Sequence, residues 1–158
     1  MGMIVNHELS FTEVRFYELA KVVDVFVILE SPITSGGDPK PLHFFDALQQ
    51  GFLREFQDKI LYVYLPEIPQ NYIDDGWLAE AYMRNYMSTK ALERLDGVQG
   101  EDLFFSFDAD EIPKAEVILF LKIHDKFTEP IQFNTRWSVF AYYWVHTDDP
   151  MNPCKKAN

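Results

Sequence analysis

The sequence has 158 residues, the size of one domain, and its 47% hydrophobic and 16% aromatic content supplies a packed core rather than a disordered chain. A formal charge of −11, from 25 acidic against 14 basic residues, excludes the basic face that nucleic acid or an anionic membrane surface requires. A single cysteine, Cys154, excludes an internal disulfide framework, and the opening MGMIVNHELS has neither the basic stretch nor the long apolar run of a signal peptide or membrane anchor.

Met3 to Val5 reads as the end of a strand. Ser10 and Glu13 have capping-box spacing, and Val14, Phe16, Tyr17 and Leu19 supply the apolar face of a helix over 11–20. Val22 to Leu29 (VVDVFVIL) is a β-branched, nearly continuous apolar run, the pattern of a strand covered on both faces. Glu30 ends it, and Ser31 to Pro41 is a loop dense in Pro and Gly. Leu42 to Lys59 carries a helix pattern, Ile60 to Leu65 a second buried strand, and Pro66 to Tyr72 a loop. Asp74 or Asp75 caps a long helix that runs to Leu95. Asp102 to Phe107 (DLFFSF) is a third apolar strand, which leads directly into Asp108-Ala109-Asp110-Glu111. Pro113 suits the first residue of a helix containing Val117, Ile118, Phe120 and Leu121, and Ile131 to His146 is aromatic and β-prone.

Strand–helix units in succession predict a mainly parallel α/β sheet with right-handed crossovers, whose ligands bind beyond the carboxyl ends of the strands. Glu30, the loop after Leu65 and the Asp108–Asp110 pair all fall at such ends. Two carboxylates at i and i+2 can turn toward one point and hold Mg²⁺ or Mn²⁺ against phosphate oxygens. With 13 aspartates in the chain, chance alone produces roughly one D-x-D, so position after LFFSF carries the weight.

Three uses of the pair compete. The acids could charge-match the helix that starts at Pro113, they could form a metal–nucleotide-sugar site, or Asp108 could be a phosphohydrolase nucleophile with Asp110 as its acid/base. The last needs partners that only Thr128, Lys122, Lys126 and Asp148-Asp149 could provide. Arg84 could reach a diphosphate or simply pair with Glu80 at i,i+4. Glu30 could bond a ribose or base, while Trp77, Tyr82 and Tyr86 at helical spacing read as core. The four histidines show no metal-ligand spacing.

Several blocks in fixed order carry a resemblance: NHELSFTEVRFYEL, VVDVFVILESPIT, GDPKPLHF, ILYVYL, DDGWLAEAYMRNYM, DLFFSFDADEIP and FTEPIQFNTRWSVFAYYW. Together they resemble glycosyltransferase family 17, the β-1,4-mannosyl-glycoprotein 4-β-N-acetylglucosaminyltransferases. The resemblance implies a GT-A-like, Rossmann-like α/β donor-binding domain over 1–146, incomplete at its C-terminus, followed by an unmatched tail over 147–158. It implies inverting transfer of N-acetylglucosamine from UDP-GlcNAc to the core β-mannose of an N-glycan, which forms the bisecting residue. Asp108 and Asp110 match the D-x-D that coordinates Mn²⁺ (or Mg²⁺) against the donor diphosphate. Asn6, Glu8 and Glu30 match blocks lining the uridine pocket, and Arg84 lies on the helix before the metal motif. An inverting transferase needs a carboxylate base, for which Glu111, Glu129 and Asp148 are candidates. Golgi membrane or lumen is the compartment implied, although no anchor precedes Met1. A truncated module that binds nucleotide or a partner without turnover is the alternative expectation.

Overall fold

The computed structural model describes residues 1–128 and 130–133. Three parallel strands form an open sheet: β1 (Gly2–Ile4), β2 (Phe26–Glu30) and β3 (Ile60–Tyr64). They lie in the spatial order β1-β2-β3, with Met3 opposite Ile28 and Ile28 opposite Tyr62. Between β1 and β2 runs α1 (Leu9–Leu19), and between β2 and β3 runs α2 (His43–Gln49) followed by a 3₁₀ turn, Arg54–Lys59. The chain continues through a short α3 (Gln70–Ile73), the long α4 (Gly76–Arg94) and α5 (Ala115–Ile123).

β2 shows why its sequence is continuously apolar. All five of its residues are buried, with successive side chains entering different cores. Phe26 and Ile28 join Met3, Val5, Phe16, Leu19, Phe44 and Ile118, so α1, α2 and α5 cover this face. Val27 and Leu29 join Val63 and Leu65 under Ala79, Met83, Met87 and Ala91, which repeat every fourth residue along α4. The result is a helix–sheet–helix sandwich. Each buried Leu, Ile or Phe contributes about 1.5–3 kcal/mol relative to exposure.

The segment DLFFSF does not extend into a full strand. It makes one parallel bridge, Ser106 to Gly2, in which the Gly2 N–H donates to the Phe105 carbonyl (2.7 Å) and the Phe107 N–H to the Gly2 carbonyl (3.2 Å). β1 has only three residues to pair with, and its other edge is taken by β2. The bridge nevertheless fixes topology. The chain steps outward from β1 to β2 to β3, then returns along α4 to the far side of β1. Strand order therefore reverses between β1 and the Ser106 segment.

Other elements differ from the predicted ones in their ends. The strand expected from Val22 begins at Phe26, because the Val22 and Val23 N–H groups both bond the Leu19 carbonyl in the turn leaving α1. The helix expected over 42–59 breaks after Gln49, where Gly51 adopts φ +92° and Leu53 φ +53° before the 3₁₀ turn. Helix α1 begins at Leu9, which places Ser10 inside its first turn, so the Ser10–Glu13 capping box does not form. The buried stripe of α1 is Thr12, Arg15, Phe16 and Leu19, while Val14 and Tyr17 are exposed. Asp75 caps α4 by accepting from the Trp77 N–H (2.9 Å). No helix among the described residues is long and apolar enough to cross a membrane. Glu129, Asp148, Cys154 and most of the aromatic stretch Ile131–His146 lie outside the described residues, as does the tail 147–158.

Candidate functional site at the strand-order reversal

Where strand order reverses, the loops leaving the two central strands diverge and open a crevice. Here a crevice of about 340 Å³ is lined by Val5, Asn6 and Glu8 after β1 and by Asp108, Ala109 and Asp110 after the Ser106 segment. Thr34, Ser35 and Lys40, from the loop after β2, close a third side, and Glu80 and Met83 of α4 a fourth. Gly37, at φ +87°, makes that loop's turn, with its N–H on the Thr34 carbonyl (3.0 Å).

Four sequence-predicted residues, Asn6, Glu8, Asp108 and Asp110, thus border one space. Glu8 rigidifies the β1 exit by accepting the backbone N–H groups of Asn6 (2.9 Å) and His7 (3.0 Å). Partial burial pushes its carboxyl up, but these backbone donors outweigh burial and hold it below the ordinary glutamate value. Asp108 and Asp110 are exposed at the crevice mouth. Neither caps α5, whose N-cap is Lys114 and whose first-turn acid is Glu116.

Arg84 reaches this pair while keeping its helical partner. Its guanidinium donates to Glu80 Oε1 through Nε (3.0 Å) and Nη2 (2.6 Å), to Ser106 Oγ through Nη1 (3.0 Å), and to Asp108 Oδ1 through Nη2. Burial lowers its basicity, yet the Glu80 hydrogen bond and the Asp108 charge together leave it above the ordinary arginine value. Glu111 folds back on its own turn: its Oε2 accepts the Asp108 N–H (3.2 Å), and its N–H donates to the Asp108 carbonyl (3.1 Å).

Glu30, expected at the ligand pocket, is placed elsewhere. Its side chain is fully buried. Its carboxylate accepts the Phe44 N–H (2.8 Å), the Phe45 N–H (3.0 Å) and the Tyr62 hydroxyl (3.0 Å), with Lys40 Nζ at 3.9 Å. Glu30 therefore ties the end of β2 to the start of α2. Burial first, and then the charge of Glu30, drives the Tyr62 hydroxyl well above the usual tyrosine range. Lys122, considered for phosphate chemistry, pairs with Asp24 (2.7 Å) before the start of β2, at the opposite end of the sheet.

The sequence reading missed Arg15. Although it belongs to a charged residue, this side chain is 0% exposed. Its Nη2 donates to the carbonyls of Asp108, Ala109 (3.2 Å) and Glu111 (2.6 Å), holding the whole acidic loop by its backbone. Burial lowers its pKa to about 10, opposed by the charges of Glu111, Asp110 and Asp108. Among the described residues Nε and Nη1 have no hydrogen-bond partner, a cost the fold bears to fix that loop. No sequence signal marked Arg15, because the inward 12/15/16/19 stripe of α1 emerges only in the fold. Lys40, whose pKa burial lowers against the charges of Glu30 and Glu8, likewise gave no signal within its Pro/Gly loop.

Among the described residues no three His, Cys, Asp or Glu side chains gather into a metal cage. Two hard carboxylates on one exposed loop suit instead a divalent cation that shares its remaining positions with ligand oxygens and water. The donor set therefore fits a cation brought or completed by a phosphate-bearing ligand.

The β-1,4-mannosyl-glycoprotein 4-β-N-acetylglucosaminyltransferases of Homo sapiens and Rattus norvegicus are each 41% identical to the chain over 140 residues, and that of Mus musculus is 40% identical. The aligned stretch covers 89% of this chain and 26% of each relative, so the chain spans about a quarter of their length. No solved structure matches it significantly. The sequence model of glycosyltransferase family 17 matches residues 2–153, a span that includes the crevice, the Arg15 clamp and both aspartates; the chain belongs to glycosyltransferase family 17.

Proposed function

We propose that this chain forms the donor side of a GT-A-like transferase, binding UDP-GlcNAc in the crevice between β1 and the Ser106 segment. The observation that carries this reading is the convergence of Asn6, Glu8, Asp108 and Asp110 on one switch-point crevice in a family 17 chain. On this reading Asn6 and Glu8, on the β1 exit, serve the nucleoside, and Asp108 and Asp110 the diphosphate end. A bound Mn²⁺ or Mg²⁺ supplies positive charge against the departing nucleoside diphosphate. Arg15 keeps the acidic loop in one conformation, so its carboxylates need little reorganisation when donor arrives. Arg84 adds a positive charge at the same end.

The acceptor on this reading is the core β-mannose of an N-glycan, with inversion at the transferred sugar and the Golgi lumen as compartment. What supports the acceptor is the name borne by relatives of which the chain spans 26%; inversion and the compartment rest on the family resemblance alone. Glu111 is engaged within its own turn, so the acceptor base is sought elsewhere. Calorimetric titration of the chain with UDP, UDP-GlcNAc and UMP, with and without Mn²⁺, tests the proposal. UDP and UDP-GlcNAc should bind with strong Mn²⁺ dependence and UMP with little. Absence of nucleotide binding under all conditions refutes it.

A further inference from the structure

The positive charge facing Asp108 already belongs to the protein. Arg84 places Nη2 on Asp108 Oδ1 and Nη1 on Ser106, while Nε and the same Nη2 hold Glu80. Nη2 is shared between Asp108 and Glu80, and the Arg84 side chain is 29% exposed against 56% for Asp108, so Asp108 is the freer member of the pair. A divalent cation entering alone would have to displace this guanidinium from the carboxylate or sit beside a like charge. A diphosphate alters the balance, because it offers the guanidinium a second, more highly charged acceptor within the same crevice. Asp108 can turn away from Nη2 while Glu80 and Ser106 keep the guanidinium in place, so the movement needed is confined to one exposed side chain.

We propose that Arg84 is an exchangeable counter-ion: it holds Asp108 when the crevice is empty and passes to the diphosphate when nucleotide arrives, making metal binding conditional on nucleotide. The inference rests on the donor-site reading above and adds an order of binding to it. Asp110, at the other end of the motif, is the carboxylate open to the cation first. Neutralising Arg84 should therefore have opposite effects on the two ligands. The metal alone gains, because its competitor is gone, and the nucleotide loses, because a cationic contact is gone.

The test is an electron paramagnetic resonance titration of Mn²⁺ alone into the wild-type chain, Arg84→Gln and Arg84→Lys, followed by UDP titration at saturating Mn²⁺. Circular dichroism verifies that each variant is folded. Arg84→Gln should bind Mn²⁺ alone about two- to fivefold more tightly, the range of one half-exposed ion pair. Its UDP affinity should fall by about tenfold, the lower range for a charge-assisted hydrogen bond. Arg84→Lys, which keeps the charge, should stay near wild type for Mn²⁺ alone. Either affinity left unchanged in Arg84→Gln overturns the exchange. If the wild-type chain binds no UDP even with Mn²⁺, the donor-site reading itself falls and the exchange with it. If wild-type UDP binding is Mn²⁺-dependent and Arg84→Gln changes nothing, the exchange alone falls.

Discussion

Replacing Glu30 with Gln separates a structural carboxylate from a ligand-binding one. In the fold this carboxylate is fully buried and accepts two backbone N–H groups at 2.8 and 3.0 Å and the Tyr62 hydroxyl at 3.0 Å. The glutamine amide has one acceptor oxygen, so its NH₂ must face at least one donor, leaving a buried N–H or O–H unsatisfied. Hydrogen bonds to a charged acceptor contribute about 1.5–3 kcal/mol each. Removing the charge returns part of the carboxylate's desolvation cost and leaves Lys40, at 3.9 Å, without its counter-charge. The net loss of folding stability should be about 2–4 kcal/mol, read by urea denaturation at neutral pH. Calorimetry under conditions where the variant is still folded should find UDP affinity within about twofold of wild type, since less than about 0.4 kcal/mol separates the two on the scale of 1.4 kcal/mol per tenfold. Near-wild-type stability together with a tenfold loss of UDP affinity would refute the structural role and restore Glu30 to the nucleotide pocket.

Two further substitutions examine the crevice and its support. Arg15→Met removes the clamp on the carbonyls of Asp108, Ala109 and Glu111 but also removes two buried nitrogens that have no partner among the described residues, so the opposing terms largely cancel. Thermal denaturation should show a loss within about 2 kcal/mol, whereas Mn²⁺-dependent UDP affinity should fall more than tenfold as the acidic loop relaxes; a large loss of stability with unchanged affinity contradicts the clamp. Glu8→Gln should expose a pH dependence. The folded-state value of Glu8 lies below its ordinary 4.5, so its contribution is fully present above 4.5 and disappears as pH falls through the folded value. The stability gap between wild type and Glu8→Gln, from urea denaturation across a pH series, should be constant above 4.5 and close in acid. A gap that widens in acid would show the opposite linkage.

The sequence revealed the fold most clearly where burial was two-sided. The FVIL run of β2 is apolar at every position because each face meets a different layer, and a short β-branched run of that kind suits a strand covered on both sides. The Ser106 segment carries a similar run, yet its extent was decided by the three-residue length of β1, a non-local fact. The crevice was legible at the level of strand ends, which a parallel sheet brings together whatever the side chains do. Side-chain direction was harder to read. Glu30 shares parity with Phe26 and Ile28, whose face is covered by α1 and α2, so alternation pointed it toward α2 although its place at a strand end suggested a ligand. Arg15 was hidden for a related reason. An arginine reads as solvated unless its position on the buried stripe is known, and here the stripe is shifted from the apolar positions Val14 and Tyr17.

Calorimetric titration of UDP into the chain with and without Mn²⁺, repeated on Asp110→Ala, tests the donor site most directly. Asp110 is exposed at the crevice mouth, so its truncation should leave the fold unchanged. The wild-type chain should bind UDP with an affinity raised at least tenfold by Mn²⁺, and Asp110→Ala should lose that increment while keeping the metal-independent remainder. Equal UDP binding by the two proteins in Mn²⁺, or no Mn²⁺ effect on the wild type, would contradict a metal–diphosphate site at Asp108 and Asp110.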